Sequence, residues 1–236
     1  MPLLRQSAPP KRHDDAESPF WISFADQMTA LMVLFLVALT VAMFAVTEEV
    51  AKVEQQEDTR QEEISSFMLR VKQLAESHPG VSLRGTAIDF GERARFDSNS
   101  HKLGESQARL LRNFAPEVLA LARDPLGSRW LKRISVVGFA DASGNYLHNL
   151  NLSLQRSERV LCVLLIPPSG VPALSDEERQ QVRQLFIVSG ASFNDLKNSP
   201  EASRRIELRL EFYEADEAPQ PPAPITLTDN RCPLDA

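Results

Sequence analysis

The 236-residue sequence predicts an α+β fold: a single N-terminal transmembrane helix, a helical linker, and a mixed β-sheet backed by helices. Three observations predict it. Residues 27–47 run for 21 positions without a charge. Residues 48–77 then contain no Gly or Pro, and the stretch 48–63 carries seven acids against two bases. From Val81 onward, strand-like and helix-like periodicities alternate. The expected order is an arm at 1–19, a span at 20–47, a linker helix at 48–79, a folded domain at 80–214 and a Pro-rich strap at 215–236.

Composition narrows the function classes. Apolar residues make up 43% and charged residues 25%, as in ordinary globular chains. A net charge of −6 argues against nucleic-acid binding, which needs a basic patch or stripe. Two cysteines, Cys162 and Cys232, lack the spacing of a zinc site, and the four histidines are scattered. No Walker loop, GxGxxG or nucleophile–base pair is visible, so an enzyme and a bound cofactor have no support.

The span reads FWISFADQMTALMVLFLVALTVAMFAV over residues 20–46. As a helix its 27 residues cover roughly 40 Å, against a hydrocarbon core of about 30 Å. A cleaved signal peptide is the rival, but its apolar region is shorter, about 7–15 residues, with a basic flank. Here the flank mixes Arg5, Lys11 and Arg12 with Asp14, Asp15 and Glu17. Three Lys/Arg before the span and two just after it favour a cytoplasmic N-terminus.

Asp26 lies roughly 9 Å into the run. A carboxylate in hydrocarbon costs about 2.5 kcal/mol or more, so such a group is neutral, faces protein, or binds an ion. Two readings stand: a carboxyl hydrated at the headgroups, or a protonatable site in an ion path walled by other helices. The segment Ala25-Asp26-Gln27-Met28-Thr29-Ala30-Leu31-Met32, after Trp21 and Phe24, resembles the A-D-x-M-T-x-x-M segment of MotB-type stator subunits. That resemblance implies an ion-carrying Asp26, protons in preference to sodium, with Trp21 and Thr29 supporting the path. It also implies a homodimer of B subunits ringed by five MotA-like A subunits in the bacterial inner membrane, with the C-terminal domain periplasmic.

In the linker, Val50, Val53, Ile64, Phe67, Val71 and Leu74 fall at a/d-like spacing, broken by Glu57 and Arg60. A dimeric coiled coil with a polar middle and a solvated spacer helix both fit. Pro79-Gly80 marks the domain boundary. Beyond it the pattern predicts a β-prone stretch at 81–90, a helix at 105–123, a buried strand at 134–139, a helix at 149–166 and a strand at 185–188. Residues 205–213 alternate, placing Ile206, Leu208, Leu210 and Phe212 on one face and Arg205, Glu207, Arg209 and Glu211 on the other. Residues 167–172 form an inserted loop.

Chemistry concentrates after the 134–139 strand. Gly138-Phe139-Ala140-Asp141-Ala142-Ser143-Gly144, followed by Asn149-Leu150-Asn151-Leu152-Ser153-Leu154-Gln155-Arg156, is similar to the G-H-T-D-x-x-G and N-x-x-L-S-x-x-R-A motifs of OmpA-like peptidoglycan-binding domains. Phe139-Ala140 departs from His-Thr, and Ser157 from Ala. The family's N-R-R-V-E-I strand appears as Ser203-Arg204-Arg205-Ile206-Glu207-Leu208. The resemblance implies an OmpA-like sheet and a peptidoglycan site of Asp141, Asn149, Leu152, Arg156 and Arg204. Charge matching explains the residue types: diaminopimelate carries an ammonium for Asp141 and a carboxylate for a guanidinium fork at Arg156. The alternative is a structural bridge between Asp141 and Arg156.

The tail at 214–236 holds five of the sixteen prolines, as an extended strap does. In an oxidising compartment Cys232 in this tail can bond Cys162. The other outcome is a buried Cys162 with Cys232 free or paired across a dimer. Membrane aspartate, spacer and wall-binding domain together resemble a stator-like B subunit, and two kinds are candidates: flagellar B subunits and the B subunits of the Zorya anti-phage system. The mixed-charge arm, the short length and the motif departures favour the Zorya kind. A passive membrane-to-wall tether is the rival class.

Overall fold

The computed structural model describes residues 18–168, 170–171, 173–217 and 231–235. The expected arm at 1–19 and strap at 215–236 therefore fall largely outside the described residues. The chain divides into two compact units, 1–55 and 56–236.

The first unit is the N-terminal part of helix α1 (Ser18–Ser77). Its uninterrupted helicity follows from the absence of Gly and of any Pro after Pro19. Met28, Leu34, Phe35, Met43 and Phe44 each expose more than half of their surface. The helix contains an 18-residue window of mean hydropathy 2.6, none of it buried inside the chain. Among the described residues it is the one helix long and apolar enough to cross a membrane.

The second unit begins within α1. Phe67, Val71 and Ala75 lie one turn apart and are at most 2% exposed, in the same buried cluster as Ile88, Phe114 and Leu210. Phe67 meets the Phe212 ring edge-on at 5.9 Å. Arg60 Nε donates to the Tyr213 carbonyl at 2.7 Å, and the Glu63 carboxylate takes the Trp130 indole N–H. This corrects the expected linker at 48–79: its second half is part of the folded unit. It also removes Phe67 and Val71 from any dimer seam, because the domain's own core covers them.

The α+β class expected from the sequence is present. Strands β1 (Ser82–Arg84), β2 (Ala87–Asp89), β3 (Leu131–Gly138), β4 (Phe186–Gly190) and β5 (Ile206–Phe212) form one sheet in the order β1-β2-β5-β3-β4. Only the β3–β4 pair is parallel, with Ile134 opposite Phe186 and Gly138 opposite Gly190. Helices α2 (Glu105–Arg123), α4 (Tyr146–Leu165) and α5 (Asp176–Leu185) supply Leu119, Val160 and Val182 to the core, all at most 1% exposed. Two short helices, α3 (Pro125–Trp130) and α6 (Pro200–Ser203), precede β3 and β5.

Three differences from the sequence pattern have physical causes. The 81–90 stretch is a hairpin, because Gly85 turns the chain at φ +58°. Helix α5 was not expected, although Ser175 and Glu178 form a capping box that announces its start. The charged side of β5 is buried at its start: Arg205 and Glu207 are 2% and 4% exposed. There Glu207 accepts from Arg205 and Arg209 at 2.8 and 2.9 Å, and the Arg205 guanidinium lies 3.9 Å from the Phe139 ring centre.

Candidate functional site

In the first unit, Asp26 is exposed, as are residues 24–50 around it, so among the described residues of that unit none walls it. Thr29 Oγ1 donates to the Ala25 carbonyl at 2.7 Å, which turns the hydroxyl back onto its own helix. Trp21 falls in the first turn of α1, and its side chain lies outside the described residues.

In the second unit, the end of β3 and the start of α4 enclose a pocket of about 240 Å³, lined by Asn99, Asp141, Ser143, His148, Asn149, Leu152 and Arg156 among others. Close packing makes it. A Cβ on Gly138 would sit 1.9 Å from the Ser153 carbonyl oxygen, so only glycine lets α4 lie this near to β3. Asn145 caps α4 by accepting from His148 N at 2.8 Å. Asn149, 2% exposed, donates from Nδ2 to the Ser143 carbonyl at 2.8 Å and so holds the 141–144 turn. Ser153 Oγ accepts from Ser192 N at 3.1 Å, which ties α4 to the end of β4. Leu152 is the apolar wall.

The charges are arranged otherwise than expected. Asp141 pairs with Arg204 (Nη1–Oδ2 2.8 Å), while its other oxygen takes the Ser143 N–H at 2.9 Å. Burial pushes the Asp141 carboxyl up, but Arg204 and the Ser143 N–H and hydroxyl outweigh it, and its pKa lies below the usual value. The same bond raises Arg204 against the lowering effect of its burial. Arg156, fully buried, donates to three carbonyls: Phe139 at 2.7 Å, Ser100 at 2.9 Å and Asp97 at 3.1 Å. Desolvation brings its pKa down to about 10, with nearby Asp141 opposing and Arg204 adding to the fall.

The alternative Asp141–Arg156 bridge does not form: Asp141 pairs with Arg204, and Arg156 clamps the 97–100 loop to the end of β3. Of a guanidinium's five N–H groups, two remain for a ligand. Arg204 stands behind Asp141 and does not line the pocket. Sequence reasoning missed Asn99 and His148, which close the opposite rim through a 2.7 Å contact between His148 Nε2 and Asn99 Oδ1. His148 directly precedes the recognised Asn149, and that adjacency was its one signal. Phe139, where the motif has His, is 1% exposed beneath Arg205, so the departure serves packing.

Away from this pocket, Cys162 on α4 and Cys232 are joined by a disulfide, with Cα atoms 5.5 Å apart.

No protein-family model matches the chain. Its structure is similar to the periplasmic domain of Helicobacter pylori MotB (TM-score 0.41, 16% identity, 61% of this chain and 86% of that one). It is also similar to the OmpA-like domain of FopA1 from Francisella tularensis (TM-score 0.35, 14% identity, 57% of this chain and 82% of that one). In sequence it is 43% identical over 223 residues to Zorya protein ZorB of Escherichia coli O139:H28, an alignment covering 90% of this chain and 91% of that protein. With that identity sustained over almost the full length of both, the chain belongs to the Zorya ZorB family.

Proposed function

We propose that the chain is the wall-anchored B subunit of an ion-driven rotary motor in the bacterial inner membrane, serving anti-phage defence. It works as a homodimer inside a ring of five MotA-like A subunits, with Asp26 as the ion carrier and protons as the preferred ion. One observation carries this reading: a carboxyl group inside an apolar helix, left exposed by the described residues. An unaccompanied carboxylate there is unfavourable in lipid, so surrounding helices from other subunits must form the walls. Each charge moved down the membrane potential releases about 2.3 kcal/mol per 100 mV. Membership of the ZorB family and the motif resemblance support the defence role over a flagellar one.

The wall-binding domain acts as the fixed end. With two loops already joined by Asp141 and Arg204, the pocket admits one zwitterionic side-chain end, its ammonium on Asp141 and its carboxylate on the free N–H groups of Arg156. The experiment is Asp26→Asn in cells carrying the whole system under phage challenge. The amide keeps the size and cannot ionise, so the complex assembles and protection is lost. Full protection by the Asn variant overturns the transport reading and leaves the passive tether.

A further inference from the structure

Arg112 on α2 is 9% exposed, yet among the described residues no hydrogen bond, ion pair or ring contact engages its guanidinium. It lies where two adjoining cavities of about 580 and 630 Å³ meet, both bordered by Glu105 and Val171 as well. Neither cavity shares a lining residue with the Asp141 pocket. The carboxylates at their edges are already engaged. Glu105 pairs with Arg109 at 3.3 Å, Asp235 with Arg159 at 2.7 Å, and Glu178 accepts from Ser175 N at 2.9 Å. Lys102, also at the edge, has no carboxylate partner among the described residues.

The Arg112 guanidinium reaches the cavity surface with no protein partner among the described residues, and its planar fork fits a carboxylate or phosphate. Apolar surface comes from Leu103, Val163 and Ile166 in one cavity and from Pro116 and Leu174 in the other. Cavities that combine such surface with a few convergent polar groups are the usual form of a small-molecule site.

We propose that α2 and α4 hold a second binding site, for an organic anion whose carboxylate or phosphate head pairs with Arg112 and whose apolar body fills the adjoining cavity. The Lys102 ammonium adds long-range attraction for the same charge sign.

The test uses the full-length protein in detergent at constant ionic strength, with benzoate as the probe and benzyl alcohol as its uncharged counterpart, followed by ligand-observed NMR. Wild type and Arg133→Gln, a change outside both cavities, bind benzoate saturably and in preference to benzyl alcohol, and Arg112→Gln binds it at least tenfold more weakly. Absence of saturable binding to wild type, or undiminished binding to Arg112→Gln, overturns the site.

Discussion

Arg204 donates to the Asp141 carboxylate at 2.8 Å, joining two loops that lie 63 residues apart in the chain. Asp141 titrates below its usual value in the folded state, so below about pH 4 the unfolded chain binds more protons than the folded one. The stabilisation is fully present above the ordinary aspartate value and is lost as pH falls through the lowered folded one. Urea midpoints of wild type and Asp141→Asn therefore differ most between about pH 5 and 7 and converge below about pH 4. A gap that persists unchanged at pH 3 would mean that the pair's charge is irrelevant to stability.

Gly138→Ala places a methyl group against the Ser153 carbonyl, at an ideal separation of 1.9 Å. Backbone faces backbone, so neither side can rotate away. Overpacking of this kind costs about 3 kcal/mol or more where nothing yields. Equilibrium urea unfolding measures it, and an unperturbed variant would show that α4 can move off β3.

Phe67→Ala removes a 1% exposed ring from the core and its edge contact with Phe212. The expected loss is about 3–5 kcal/mol. Val53→Ala, farther up the same helix at 57% exposure, changes stability by about 0.5 kcal/mol or less. Equal effects at the two positions would restore the whole helix to the role of a spacer.

For wall binding, Asp141→Asn is a cleaner probe than Arg156→Ala. Removing the Arg156 guanidinium deprives the carbonyls of Asp97, Ser100 and Phe139 of their donor, at about 1–3 kcal/mol for each one left buried and unpaired. Loss of pull-down by Arg156→Ala would then mix binding with folding. Asp141→Asn weakens co-sedimentation with purified peptidoglycan by roughly tenfold or more, the worth of one charge-assisted hydrogen bond. Circular dichroism of the same sample verifies that it is folded, and full retention by the Asn variant removes Asp141 from the site.

How far the sequence discloses this arrangement depends on the range of the forces involved. Helix α2 lies at Glu105–Arg123 and β5 at Ile206–Phe212 as their periodicities indicate, because both patterns are written in adjacent residues. The Phe67–Val71 spacing, by contrast, serves a coiled-coil seam and a core-facing stripe equally well. Only the presence of Phe212 opposite decides between them. The motif announced that Asp141, Arg156 and Arg204 share a neighbourhood. It could not announce their partners, since Arg156 is held by backbone carbonyls, which every residue carries. Arg112 shows the same limit from the other side: nothing in its sequence context marks it as an arginine without a partner among the described residues.

The Cys162–Cys232 bond gives the folded unit a topology that the linear chain lacks. Residues 162–232 become a covalent ring containing α5, β4, β5 and Arg204, whereas Asp141 lies on the stem before the ring. A single proteolytic cut anywhere in the ring thus opens a circle and releases no fragment. The cut molecule keeps its mass, and Arg204 stays attached to the piece that carries Asp141 until a thiol reductant reaches the bond.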